Sequence, residues 1–576
     1  MRLAIRAPPS FTSSGTVPLR IGRTLTGDKR FLRARKLAVE VLCVGAVLAP
    51  LAICVASGLV HASLCVDEIS YHYMEDDLAL RAAELGRPGS AVAPRLGIFF
   101  YCDVQRVFHA LVRSLGLTLA RDPELYLRLL SLIAYGIAVL TLFVFARKMS
   151  GRAADGALAA GAFGSTPILL HYAFEGRVYE LTTMLVVFVG IAVYRAACRP
   201  SPGRLVLVAA LSLVAAHSQL WTLCLFAPLL VFAAIDVARA RRVTPWAAAA
   251  AAGALPALAV IGTQVLYMRA TDPGTPRFPP FWPPAPLPTL LQLVFSNFFG
   301  VLQTQNIVGE KFTTSIPAFV GGGALVCLLA VSAWPSRDRR EDGDARRWAT
   351  TVGAAFASCW LLAVTYGFYI HARYHVPLLG ALFVAVALVP TRATRLLFGL
   401  VIAVNVALLP TTIRAIELKS NVSQIAGLVR ASGTRDVSIV CQHAVTKGFP
   451  LPAQAIGLDF YLNVLHPGEP AITLFELPDL SLVNGRRGVF DLFNGGSHVF
   501  DHYLASTPDV WRAKRDSLRP TLFFLRQLWN FEAGGQQNED FSRVVLERGD
   551  RIATRQLIVP GVPDSVLVEF HARAAP

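Results

Sequence analysis

Charged residues are scarce in this chain, and their scarcity excludes most soluble proteins. Only 16% of its 576 residues are charged, whereas 54% are hydrophobic, and the mean hydropathy is +0.50. Ordinary soluble domains contain about 25% charged and about 45–50% apolar residues. The composition therefore predicts a membrane protein.

Metal-binding cysteine motifs are also absent from the sequence. The nine cysteines are scattered, without a CxxC pair or a Cys/His spacing typical of zinc sites. Most lie inside apolar runs, where cysteine behaves as a small hydrophobic residue. Cys65 and Cys102 lie instead in a predicted outer loop, where an oxidising compartment favours a disulfide between them. Two unbridged thiols are the alternative.

Long apolar stretches recur along the first two thirds of the chain, most of them near the roughly 20 residues that cross a hydrocarbon core. They occupy residues 37–63, 125–146, 153–173, 178–194, 205–217, 219–237, 245–267, 315–334, 348–370, 376–390 and 396–412. We predict about 11 transmembrane helices in a module over residues 37–412, after a basic tail over residues 1–36. Since no cleavage site follows a short apolar core, the first helix is interpreted as a retained anchor.

Lysine and arginine concentrate on every second connection between these stretches. The tail carries nine of them, and further groups lie near residues 147–152, 195–204, 239–242, 337–347 and 392–395. The positive-inside rule therefore predicts a cytoplasmic N-terminus and an outer loop over residues 64–124. Topology and lipid contact account for the net charge of +16, so we predict no nucleic-acid partner.

The last part of the chain has a different pattern. From about residue 413 the apolar runs shorten, charge increases, and short β-like segments alternate with helical patterns. This predicts a soluble α/β domain over residues 413–576, outside the cytoplasm after eleven spans. The predicted fold class is thus an all-α polytopic membrane protein with a C-terminal soluble α/β domain.

An acidic cluster opens the outer loop: Asp67-Glu68-Ile-Ser-Tyr-His72-Tyr-Met-Glu75-Asp-Asp. A carboxylate beside the membrane surface can act as a general base on a lipid-linked substrate. If the segment is helical, Glu68, His72 and Glu75 share one face and are candidate ligands of a divalent metal ion. An acid-rich first turn of a helix is the alternative.

Two further motifs lie at the predicted outer ends of later spans: Glu175-Gly-Arg177-Val-Tyr179-Glu180 and His371-Ala-Arg373-Tyr374-His-Val-Pro377. Guanidinium groups bind oxyanions bidentately, so both arginines are candidates for holding a phosphate. Interfacial snorkelling is the alternative. Glu180 begins a span, where an unpaired charge costs about 2.5–3.5 kcal/mol, and Arg177 is its expected partner.

Together these motifs resemble the integral-membrane glycosyltransferases of the GT-C fold, in the branch of protein mannosyltransferases and aminoarabinose transferases. The resemblance covers about residues 37–412. It implies transfer of a hexose or pentose from a polyprenyl-phosphate donor to a lipid, glycan or protein acceptor at the outer face of the cell membrane. It also implies site residues, with catalytic carboxylates at Asp67 and Glu68 and donor-phosphate contacts at Arg177, Tyr179, Arg373 and Tyr374. The His-Pro-Pro-Leu element of the family's first loop is Ala93-Pro94-Arg95-Leu96 here.

Two other classes of function fit parts of the pattern. A membrane transporter or lipid flippase would explain the spans and the charges at their mouths, although no repeat of two similar halves is evident. An assembly scaffold without activity would explain the spans alone. Only the enzyme hypothesis requires Asp67, Arg177 and Arg373 together.

Overall fold

The structure is a computed structural model. It describes residues 25–64, 68–69, 98–271, 342–366, 375–417, 422–431, 436–439, 457–458, 460–466, 468–470, 472–476, 503–505, 521–528, 551–557 and 565–572. This part of the chain is predominantly helical, and its strands all come after residue 435.

Twelve α-helices are described before residue 418. They are α1 Leu25–Ala56, α2 Ile98–Ser114, α3 Pro123–Ser150, α4 Ala153–Gly164, α5 Pro167–Ala173, α6 Val178–Cys198, α7 Pro202–Ser218, α8 Leu223–Ala240, α9 Pro245–Thr271, α10 Asp342–Tyr366, α11 Val376–Ala387 and α12 Arg392–Glu417. Short 3-10 turns follow α1 at Leu59–His61 and precede α8 at Leu220–Thr222.

Six of the described helices are long and apolar enough to cross a membrane: α1, α3, α6, α8, α9 and α12. The pair α4 and α5 meets the same test as one span but is bent by 69° at Pro167. Helices α7 and α11 are apolar but shorter. The chain is therefore a multi-pass membrane protein. The count of eleven stays a prediction, because residues 315–334 lie outside the described residues.

Helices α6 and α11 lie at the centre of the helical core. Every residue of α11 is buried, and so are most of α6, because both helices are apolar around their whole circumference. Gly380 permits their close approach, since a Cβ there would come within 2.9 Å of the Thr183 carbonyl oxygen. The indole Nε1 of Trp348 on α10 donates to the Ala381 carbonyl at 3.1 Å. The two central helices thus approach closely at one glycine, and a buried indole bonds α10 to α11.

Arginine–carboxylate pairs connect helices at the predicted cytoplasmic end of the bundle. Arg147 on α3 contacts Glu40 on α1 at 2.5 Å. Arg395 on α12 contacts Asp155 on α4 at 2.7 Å, and Arg347 on α10 contacts Asp236 on α8 at the same distance. These residues lie in or beside the basic segments that predicted this end, and each pair joins two helices that are not consecutive in the chain.

The described residues after α12 form one helix and six strands. Helix α13 spans Val422–Ala431, and a π-helical turn covers Phe460–Val464. Strands β1 Asp436–Ile439, β2 Thr473–Glu476 and β3 Tyr503–Ala505 form a parallel sheet in that order. Strands β4 Thr521–Leu528, β5 Arg551–Leu557 and β6 Ser565–Ala572 form an antiparallel sheet in the order β4-β6-β5. The change from helices to strands occurs where the sequence pattern changes, after residue 413.

Candidate functional site

A fully buried ion pair joins the start of the acidic loop to helix α3. Nε of Arg128 lies 2.8 Å from Oε1 of Glu68, and Nη2 lies 3.1 Å from Oε2. Both side chains have no exposed surface. A two-point contact of this kind fixes orientation as well as charge, so the pair holds Glu68 in one position.

The same guanidinium also donates hydrogen bonds to the residues that follow helix α1. Nη1 of Arg128 donates to the carbonyl oxygens of Leu59, Val60 and Ala62 at 3.3, 3.0 and 2.7 Å, and Nη2 donates to that of Ser63 at 3.2 Å. Carbonyls just beyond a helix C-terminus lack intrahelical partners and carry partial negative charge. Arg128 satisfies them, which fixes the path of the chain as it leaves α1 towards Glu68.

Glu68 further contacts the turn before helix α6. The backbone N–H of Gly176 donates to Oε1 of Glu68 at 2.9 Å. A Cβ at position 176 would lie 2.6 Å from the carbonyl oxygen of Leu127, so the turn approaches α3 too closely for any other residue. We call Glu68, Arg128 and Gly176 the anchor. It joins three segments that are far apart in sequence.

The turn beside the anchor carries a second group of charged and aromatic side chains. Oε1 of Glu175 lies 2.9 Å from Nε2 of His171, and Nη1 of Arg177 donates to Oε2 of Glu175 at 3.5 Å. The Arg177 guanidinium lies over the Tyr179 ring, 5.1 Å from its centroid, and Tyr172 contacts the same ring. The 3.5 Å contact is at the outer limit of a hydrogen bond, so the cation–π contact with Tyr179 also helps to orient the guanidinium.

The C-terminal part of the chain packs against the same end of the bundle. The hydroxyl of Tyr461 accepts from the N–H of Leu64 and donates to Oε1 of Glu124, both at 2.9 Å. The N–H of Ser423 donates to the Ser63 hydroxyl at 3.1 Å. Burial, with the nearby Glu124 carboxylate, raises the pKa of Tyr461 well above its ordinary value. The phenol therefore stays protonated and keeps its donor.

The expected pairing of Arg177 with Glu180 was wrong. Arg177 instead contacts Glu175 and the ring of Tyr179. Glu180 is fully buried, and neither of its carboxylate oxygens has a hydrogen-bond partner in the described part of the chain. The reason is geometric: Arg177 is the extended residue before the helix, whereas Glu180 lies in the first helical turn.

Three of the predicted site residues are described, and the structure brings them to one end of the bundle. They are Glu68, Arg177 and Tyr179. The others lie outside the described residues: Asp67, His72, Glu75, Arg373 and Tyr374. Cys65 also lies outside them, so the disulfide with the buried Cys102 stays a prediction.

The predicted metal site stays a prediction, because its ligands His72 and Glu75 lie outside the described residues. No group of three His, Cys, Asp or Glu side chains suited to a metal ion occurs among the described residues. Both oxygens of Glu68 are bonded to Arg128, and one also accepts from Gly176. A metal ion would have to displace a guanidinium from a fully buried site, which disfavours Glu68 as a ligand.

Sequence reasoning missed Arg128 and Tyr461. Arg128 carried a usable signal, because it is a charged residue inside the apolar stretch 125–146, where charges are costly and functional or paired. Tyr461 carried none, since a tyrosine in a soluble segment is common. Its partners Leu64 and Glu124 are 397 and 337 residues away along the chain.

An apolar groove of about 520 Å³ lies between helices α1 and α12 near their predicted outer ends. Ile53, Leu409 and Ile413 contribute to its lining. Arg414 and Glu417, both exposed, also line it. Most of its lining residues are apolar, which suits a hydrocarbon chain.

Comparisons with known proteins give matches only among solved structures. No family model matches the sequence, and no curated protein matches it. The chain is similar to ArnT from Cupriavidus metallidurans in the apo state, with 14% identity and a TM-score of 0.39 over 94% of this chain and 98% of that one. The structure of the same protein bound to undecaprenyl phosphate gives 14% identity and a TM-score of 0.38, over 95% and 98%.

Proposed function

We propose that this protein is an integral-membrane glycosyltransferase that moves a sugar from a polyprenyl-phosphate donor to a lipid, glycan or protein acceptor at the outer face of the cell membrane. The observation that carries the proposal is the bond between Gly176 and Glu68. Asp67 precedes Glu68 and Arg177 follows Gly176 in the sequence. The bond therefore supports a carboxylate and a phosphate-binding cation within one site, as such a transfer needs.

The two acids of the loop have different roles in this proposal. Asp67 removes the proton of the acceptor hydroxyl as it attacks the sugar. Glu68 orients the loop, because its oxygens are bonded to Arg128 and Gly176 in a fully buried site. A carboxylate held in this way has no access to an acceptor, which argues against Glu68 as the base.

The leaving phosphate is held by arginines in this proposal. Arg177 is oriented by Glu175 and by the Tyr179 ring, and only 9% of its surface is exposed. A guanidinium oriented in advance loses less side-chain freedom when it binds a phosphate. Arg373 and Tyr374, outside the described residues, complete the predicted set.

The groove between α1 and α12 is a candidate for the apolar part of the donor. Its wall is mostly hydrocarbon, and it lies near the predicted outer ends of both helices. A prenyl chain buries apolar surface without specific contacts, at roughly 25 cal/mol for each Å² removed from water. A divalent metal ion near His72 and Glu75 stays a prediction of the loop sequence.

The proposal is tested by changing Asp67 in a complemented deletion strain. Asp67→Asn is nearly isosteric and is expected to lower glycosyl transfer about 10²–10⁴-fold, the usual contribution of a general base. Asp77→Asn in the same acidic run is the matched control and should keep transfer near wild type. Mass spectrometry of the strain's lipid A, teichoic acid, arabinan and glycoproteins identifies the modified acceptor. Asp67→Asn within about threefold of wild type would falsify the assignment of the base.

Orientation is tested separately with reporter fusions after residue 417, the end of α12. An outer C-terminal part predicts high alkaline phosphatase activity and no GFP fluorescence at this position. The reverse pattern would put the anchor on the cytoplasmic side, where the proposed donor site could not work at the outer face.

A transporter or lipid flippase is the second candidate, and two observations favour it. Helices α4 and α5 form a broken span with a 69° bend, and Glu180 is buried in the first turn of α6 without a hydrogen-bond partner among the described residues. Broken helices and buried acids are typical of transporter ion sites. A transporter predicts that Glu180→Gln abolishes lipid or ion movement in vesicles and that Asp67→Asn has no effect. The enzyme predicts that Asp67→Asn is the more severe change in sugar transfer.

A further inference from the structure

The phenol of Tyr461 connects the C-terminal part of the chain to two segments of the helical module. Its hydroxyl accepts from the N–H of Leu64, four residues before Glu68, and donates to Glu124 in the first turn of α3. Only 7% of the Tyr461 surface is exposed. The buried hydroxyl thus donates one hydrogen bond and accepts another. Burying the Leu64 N–H or the Glu124 carboxylate without a partner would be costly.

Tyr461 and Arg128 bind the same segment of the chain, the residues that follow α1. Arg128 binds the carbonyl oxygens of residues 59, 60, 62 and 63, and Tyr461 binds the next N–H, that of Leu64. One group thus satisfies acceptors and the other a donor. The segment that follows α1 is therefore bonded both to α3, through Arg128, and to the C-terminal segment, through Tyr461.

An apolar cluster surrounds these polar contacts. It contains Leu64 and Ile69 from the start of the acidic loop, which lie on either side of Glu68. Helix α3, helix α13, the π-helical turn and the residues on either side of that turn contribute the remaining members: Tyr126, Leu127, Val422, Ala426, Val429, Leu458, Phe460, Tyr461, Leu462 and Ile472. The loop start is therefore packed into the C-terminal segment by burial as well as by the two hydrogen bonds.

We infer that Tyr461 is a positioning residue, through which the C-terminal segment fixes the loop that carries the proposed base. The inference rests on the proposed function for its catalytic consequence. Its structural part stands on the contacts of Leu64, Glu124 and Ser63 alone. The C-terminal segment then acts in transfer without touching the donor.

Tyr461→Phe tests this inference, because it keeps the ring in the cluster and removes only the hydroxyl. Hydrogen–deuterium exchange of the full-length protein in detergent or nanodiscs is expected to speed up about tenfold at the Leu64 amide. Affinity for undecaprenyl phosphate, used as the probe, should stay within twofold of wild type, because Arg177 is unchanged. Modified acceptor in the complemented deletion strain should fall about tenfold, as expected for a displaced catalytic group.

Arg430→Gln is the matched control. Arg430 lies on α13, donates to the Leu462 carbonyl and pairs with the exposed Glu469, and it makes no described contact with the loop start. It should leave both exchange at Leu64 and acceptor modification unchanged. Glu124→Gln keeps an acceptor for the Tyr461 hydroxyl. Exchange at Leu64 and acceptor modification should therefore stay closer to wild type in Glu124→Gln than in Glu124→Ala.

The outcomes separate this inference from the proposed function. Unchanged exchange at Leu64 in Tyr461→Phe, or an equal loss of acceptor modification in Arg430→Gln, would overturn the positioning role. Faster exchange without any loss of modification would overturn it as well. A parallel loss of undecaprenyl phosphate affinity would point to general destabilisation and also contradict it. If the wild-type chain modifies no acceptor, the proposed function fails, while the exchange measurement still decides whether Tyr461 holds the loop.

Discussion

Arginine–carboxylate pairs occur at both ends of the helical bundle, but they differ in how much of their surface is exposed. At the predicted cytoplasmic end, three arginines pair with carboxylates while 35–41% of each arginine side chain stays exposed. At the predicted outer end, Arg128 and Glu68 have no exposed surface, and Arg128 also binds four carbonyl oxygens.

The difference shows which pairs can be lost without consequence. An exposed pair gains little, because solvent screens it and its side chains lose freedom. A buried pair is costly to form but far more costly to break, because one charge is then left without a partner. The outer end is therefore the part of the bundle where a single substitution has the largest expected effect.

Arg128→Gln is expected to have the largest effect. It leaves Glu68 buried without its cation and frees the carbonyls after α1, at a cost of about 3–5 kcal/mol. Thermal unfolding in detergent measures the change. Arg128→Gln together with Glu68→Gln should recover part of the loss, since no lone charge remains. A single variant as stable as wild type would contradict the buried position of the pair.

Arg177→Ala should follow in size. Loss of charged hydrogen bonds to the leaving phosphate costs about 1.5–3 kcal/mol, seen as a roughly 10–100-fold weaker affinity for undecaprenyl phosphate. Arg177→Lys keeps the charge but loses the planar fork, so it should fall between alanine and wild type. Arg373→Ala should behave in the same way. Wild-type affinity in either alanine variant would make that arginine an interfacial anchor only.

Gly176→Ala is expected to cost about 1–3 kcal/mol, the usual range for an added methyl group in a packed site. Its Cβ would meet a backbone carbonyl, which cannot rotate away as a side chain can. The readout is exchange of the loop amides beside Glu68, because the turn must move away from α3. Gly203→Ala is the control, since a Cβ there meets nothing.

Arg147→Gln at the opposite end should be the mildest change, at about 0–1 kcal/mol. Arg395→Gln should be similar. High salt should narrow the small difference from wild type, because exposed charges are screened. A loss as large as that of Arg128→Gln would remove the contrast between the two ends.

Sequence periodicity predicted the helices well, and burial explains why. The stretches 125–146 and 178–194 correspond to α3 and α6, because an apolar run of this length has few alternatives in a membrane. The bend between α4 and α5 was not predicted, although Pro167 marks its position. Proline can begin a helix or break one, and only the packing of neighbours decides between them.

The candidate site was predicted in part. The Glu175–Tyr179 motif and Glu68 were identified, and the structure brings them together through Gly176. The role of Glu68 could not be derived, because its partner Arg128 is 60 residues away and nothing in the local pattern relates them. The same limit applies to Tyr461. Contacts between distant segments depend on the fold, and a single sequence carries no direct record of them.

The partners of Arg128 have a consequence for biogenesis. Glu68 and the four carbonyl oxygens all precede Arg128 in the chain. N-terminal parts emerge first during synthesis, so the guanidinium can be neutralised as soon as α3 is inserted. Gly176 and Tyr461 are synthesised later, when the Arg128–Glu68 pair can already have formed. The nascent chain therefore need not hold a lone arginine at the membrane while the remaining helices are made.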